Sequence, residues 1–139
     1  VSAAQEQTVR NVPEHAGSTA LDVAVGPFAA PVAVRAVQAL GAQAGFGVDR
    51  LSDVVIIVEA LVAHAGHPSA TGRLALNVVT APDRFVLGVG PLPVGAAAQL
   101  RRAARLSDLG SVIERLADEV TETRDTDGEY LLVTMRRPS

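Results

Sequence analysis

The chain has 139 residues, 48% of them hydrophobic, and a formal net charge of −3 in which every basic residue is arginine. That length suits one domain able to bury roughly two thirds of its unfolded surface, so no covalent staple is needed. The lack of cysteine excludes disulfides and thiolate zinc ligation, and a net negative charge with 3% aromatics offers nucleic acid neither a basic face nor a stacking platform.

Residues 1–18 are polar and without periodicity (Gln5, Glu6, Gln7, Asn11, Glu14), which predicts a flexible N-terminal tail ahead of a single domain over 19–139. No stretch approaches the ~20 apolar residues of a membrane span. No basic segment leads into an apolar core as in a signal peptide. The expectation is a cytoplasmic protein with no membrane contact.

Thr19 to Val25 alternates apolar and polar residues, a half-buried strand closed by Gly26-Pro27. Pro31 to Ala44 places Val34, Val37 and Leu40 at helical spacing, with Pro31 suited to the first turn. Asp49 to Ala65 predicts a second helix whose main stripe is Leu51, Val54, Val55, Val58, Leu61, Val62 and Ala65. Arg73 to Thr80 and Arg84 to Gly90 form two strands across the turn Ala81-Pro82-Asp83, and Pro91 to Gly95 is a breaker.

Ala96 to Arg105 reads as a weakly packed helix. Ser107 is an N-cap for a helix with Leu109, Val112, Ile113 and Leu116 on one face. Val120 to Arg124 and Glu129 to Arg136 make a final hairpin. Helices grouped between strand pairs indicate an α+β two-layer sandwich, a mixed but mostly antiparallel sheet with helices on one face.

Two segments carry a family resemblance. The first is Asp49-Arg50-Leu51-Ser52-Asp53-Val54-Val55-Ile56-Ile57-Val58-Glu59-Ala60-Leu61-Val62-Ala63-His64-Ala65, and the second is Leu109-Gly110-Ser111-Val112-Ile113-Glu114-Arg115-Leu116-Ala117-Asp118-Glu119-Val120. In type, order and separation they resemble the N-box helix and last helix of the anti-sigma-factor serine kinases. Those proteins share the ATPase fold of histidine kinases, gyrase subunits and heat-shock chaperones. The resemblance runs from Leu21 to Arg137.

The resemblance implies ATP and magnesium as cofactors, and Glu59 as the catalytic general base that orients a hydroxyl beside the γ-phosphate. On the helix Glu59 joins Ser52, Ile56 and Ala63 on a second stripe beside the apolar one. Read from the residues alone it is a helix-edge glutamate in solvent or paired to an arginine; the resemblance brings the two readings level. Ala63 stands where the family has its magnesium-binding asparagine and offers no oxygen. His64 is turned about 100° away and does not replace it.

Where the family has its Asp-x-Gly-x-Gly run the chain reads Leu87-Gly88-Val89-Gly90-Pro91-Leu92-Pro93, with Val86 or Leu87 rather than aspartate ahead of the glycines. Gly88 and Gly90 are therefore candidate nucleotide-binding residues, but no carboxylate precedes them to read adenine. Gly110 is the candidate phosphate-facing glycine at the last helix, with Asp108 beside it as an ordinary helix-start residue. Arg101, Arg102 and Arg105 occupy the lid segment, as ligands of phosphates or of an acidic partner, or as solvated side chains. His64 and His67 straddle a helix end without a third ligand, and no metal-ligating residue is assigned.

The resemblance thus implies a regulatory protein of the anti-sigma-factor type, with a sigma factor or an anti-sigma-factor antagonist as partner and a homodimer as a candidate state. With Ala63 and Val86 in place, it works by protein–protein binding with ATP binding weakened or lost. The alternative is an active ATP-dependent serine/threonine kinase that phosphorylates the antagonist. A third class is an unrelated enzyme that uses Glu59 as a base.

Overall fold

The computed structural model describes residues 17–65, 72–103, 105–106 and 110–137. The elements in chain order are β1 (Gly17–Ala24), α1 (Ala29–Gln43), α2 (Val48–Ala65), β2 (Arg73–Thr80), β3 (Arg84–Leu92), α3 (Ala96–Ala103), β4 (Arg105–Leu106), β5 (Gly110–Ser111), α4 (Val112–Leu116), β6 (Glu119–Asp125) and β7 (Gly128–Arg136). The predicted tail falls mostly on residues 1–16, outside the described residues; Gly17 and Ser18 already pair with Thr80 and Val79.

Five strands form one sheet in the order β1-β2-β3-β7-β6. Every pairing in it is antiparallel, so the expected parallel component is absent from the described sheet. For two pairings the reason is local, since β2–β3 and β6–β7 are tight hairpins, which only antiparallel neighbours can form; β1 reaches β2 through α1 and α2, and β3 reaches β7 through the segment from α3 to β6. Ala81 and Arg84 close the first hairpin with paired backbone bonds of 2.9 and 3.3 Å.

The helices cover one face. Alternate residues Leu74, Leu76 and Val78 of β2, Phe85, Leu87 and Val89 of β3, and Leu131, Val133 and Met135 of β7 point into the core. On the other side α2 contributes Val54, Val58, Leu61, Val62 and Ala65 from the expected stripe, with Leu51 and Val55 half-buried and Ile57, from outside that stripe, buried beside them. Full burial of a side chain such as Leu61 contributes roughly 1.5–3 kcal/mol. None of the described helices is long and apolar enough to cross a membrane.

Several local expectations are corrected. The buried face of α1 is Ala29, Ala33, Val37 and Gly41, while Val34 and Leu40 are only half-buried. Small residues at i, i+4 spacing let α1 lie close to α2: a Cβ on Gly41 would stand 2.7 Å from Cδ2 of Leu51. The strand expected to stop at Gly90 continues through Pro91 to Leu92, with a register shift between Val89 and Leu92. The helix expected from Ser107 begins only at Val112, after the two-residue pairing of β4 with β5; Ser107, Asp108 and Leu109 lie outside the described residues. Nor is α3 weakly packed, since Ala96, Ala97 and Leu100 are buried.

Candidate functional site

Glu59 sits on the outward stripe of α2, where Ser52, Ile56 and Ala63 are also exposed. Its carboxylate opens onto a groove of about 580 Å³ lined from α1 by Ala30, Pro31, Val34, Arg35 and Gln38. Neither Glu59 nor Arg35 has an ion pair or side-chain hydrogen bond among the described residues. Ala63, one turn later, faces a different cleft of about 360 Å³, formed with Val25, Gly26, Ala29, Ala30, Val62 and Leu74 where β1 passes into α1.

The candidate glycines lie elsewhere. Gly88 is in mid-strand, paired with Asn77 on one side and Leu132 on the other. Gly90 occupies the irregular stretch of β3 at φ +155°, and a Cβ there would meet the Glu129 carbonyl oxygen and Cδ1 of Tyr130, both at 2.6 Å. Val86, at the position of the adenine-reading aspartate, is a buried strand residue. Gly110 pairs with Leu106 in the small β4–β5 ladder, two residues ahead of the five-residue α4. Among the described residues, Glu59 lines the α1–α2 groove, and Gly88, Gly90 and Gly110 do not line it.

One residue of the lid segment is tied down. Arg101 of α3 donates from Nε to Glu114 at 2.5 Å and from Nη1 to Glu122 at 3.3 Å, linking α3 to α4 and β6. The hydrogen bond to Glu114 raises the Arg101 pKa further, so its charge is permanent. Arg101 is thus a structural tie rather than a solvated cation.

The sequence offered no role for Glu129, the buried acid of the described core. It shares the inward face of β7 with Leu131, Val133 and Met135, and an acid in that register needs donors. Gly95 and Ala97 supply theirs, donating backbone N–H groups at 2.9 and 3.1 Å, and Arg124 adds Nη2 at 2.7 Å. A carboxylate from β7 therefore caps the N-terminus of α3, whose own first turn has no acid. An acid at i, i+2 spacing with core residues was the available sequence signal.

These bonds, the Gly95 N–H first and then Arg124, hold the Glu129 carboxyl below the ordinary 4.5. A folded-state pKa below the unfolded one gives stability that is present above the unfolded value and is lost as pH falls through the folded value. Urea unfolding of wild type and Glu129→Gln should therefore differ by a constant amount from pH 7 to about pH 5. The difference should shrink below pH 4.5, and a gap that stays constant to pH 3 would contradict the assignment.

With this geometry in hand, comparison with solved structures shows the architecture. The RsbU and RsbW domains of Rv1364c from Mycobacterium tuberculosis superpose with a TM-score of 0.59 at 14% identity, over 88% of this chain and 34% of that one. This chain has the same fold as that region. It spans about a third of the length of that chain. No protein-family model and no curated protein matches the sequence.

Proposed function

We propose that this chain is an anti-sigma-factor-like regulator that acts by holding a protein partner, a sigma factor or its antagonist, without a phosphoryl-transfer step. The likeness to a structure of RsbU and RsbW domains supports the regulator class. One observation supports the choice of binding over catalysis: among the described residues, Gly88, Gly90 and Gly110 do not share the groove that Glu59 lines. Glu59 faces an α1–α2 groove, while Gly88 and Gly90 are packed inside the sheet.

The fit to ATP and magnesium is poor on chemical grounds as well. Ala63 has no oxygen for a hard cation, and Val86 has no acceptor for an adenine amino group. No catalytic step is therefore derived through the nucleotide.

The test uses the chain freed of nucleotide with apyrase and EDTA, and sigma factors and antagonist domains from its own genome as immobilised partners. At least one should bind, with an affinity that changes by less than about twofold on adding ATP and magnesium. Phosphate transfer to an antagonist serine, capture only in the presence of ATP, or no capture at all would overturn the proposal.

A further inference from the structure

Arg35 is the one charged side chain among the fifteen residues of α1, and it lines the same groove as Glu59 of α2. The two are opposite in sign, yet they do not pair with each other or with any other described residue. The groove therefore presents a cationic and an anionic wall at once. Gln38 adds an amide that both donates and accepts. From Ala30 to Gln38 the α1 wall runs about 12 Å, at a rise of about 1.5 Å per residue. An extended peptide advances about 3.3–3.6 Å per residue, so this length suits about two or three residues.

An apolar cleft adjoins the groove, and Ala30 lines both. The cleft, about 360 Å³, is walled by Val25, Ala29, Val62 and Leu74 and has no charged side chain in its lining. An apolar recess beside a few convergent polar groups is the usual make-up of a small-ligand site. Here the polar groups are one cation, one anion and one amide, which is the complement of a zwitterion built around a peptide bond.

We propose that the α1–α2 groove binds a short peptide, about two or three residues long, with both termini free and an apolar side chain. Its carboxylate accepts two parallel hydrogen bonds from the Arg35 guanidinium, and its ammonium donates to Glu59. The Gln38 amide pairs with a peptide group, and the apolar side chain enters the cleft past Ala30.

Calorimetric titration of the full chain with the dipeptide leucyl-leucine tests the proposal. Saturable binding is expected, with a Kd of about 1 mM or tighter. N-acetylation and C-terminal amidation of the peptide should each weaken binding about tenfold, because each removes one ion pair. Glycylglycine, which leaves the cleft unfilled, should also bind at least about tenfold more weakly.

Variants assign each end of the ligand. Glu59→Gln should weaken binding of leucyl-leucine and make it indifferent to acetylation, whereas Arg35→Gln should make it indifferent to amidation. The capped peptides are titrated into unaltered protein, so they decide the matter even where a substitution disturbs the fold. No saturable heat at ~10 mM leucyl-leucine, capped peptides that bind as tightly as the free one, or folded variants that keep full sensitivity to both caps would overturn the proposal.

Discussion

Replacing Arg50 with methionine is expected to lower the unfolding free energy by about 2–3 kcal/mol, measured by urea denaturation. Arg50 lies in the first turn of α2 with its side chain only 17% exposed. Its Nη1 donates to the Leu116 carbonyl at 2.8 Å and to Asp53 at 2.9 Å. Its Nε reaches the Arg136 carbonyl at 3.3 Å, and Nη2 pairs with Asp118.

One guanidinium therefore joins α2 to the end of α4, the entry to β6 and the end of β7. The ion pairs are half-exposed and individually modest. The larger cost comes from leaving the Leu116 carbonyl, at the end of a helix, without its donor. Arg50→Lys should recover only part of the loss, because an ammonium lacks the planar fork that serves several acceptors at once. A loss below about 0.5 kcal/mol for Arg50→Met would show that the clamp is ornamental.

The second large effect separates the two glycines of the strand. Gly90→Ala should cost about 3 kcal/mol or more, because the new Cβ would strike backbone at 2.6 Å and the backbone there already has a positive φ that side chains rarely adopt. Gly88→Ala should cost about 1 kcal/mol, since its nearest neighbour is the terminal Cδ2 of Leu132 at 3.1 Å, which can turn aside. Urea unfolding of both variants decides the matter. Equal, small losses would mean that Gly90 is not held where β3, β7 and the α3 cap converge.

The contrast between those glycines shows why the fold was legible in the sequence and the site much less so. The hairpin at Ala81–Asp83 and the stripe on α2 follow from turn chemistry and a 3.6-residue period, and both appear as expected. The contact face of α1 did not, because Ala33 and Gly41 are selected by the nearness of α2, which no local pattern records. The passage of β3 through Gly90-Pro91 breaks a local rule that the pairing with β7 overrides.

The same division runs through the candidate site. The exposed stripe bearing Glu59 was readable from spacing. Its facing residues Arg35 and Gln38 depend on how α1 lies beside α2 and could not be read. Glu129 was missed for a related reason: its backbone donors, Gly95 and Ala97, lie at the start of α3, more than thirty residues earlier.

Under the proposed function this fold serves as a binding scaffold without nucleotide chemistry, and calorimetry reads that property directly. Titration of ATP with magnesium into the nucleotide-free chain should give no heat above dilution at millimolar nucleotide. Saturable, magnesium-dependent binding that Glu59→Gln or Gly88→Ala alters would contradict the account.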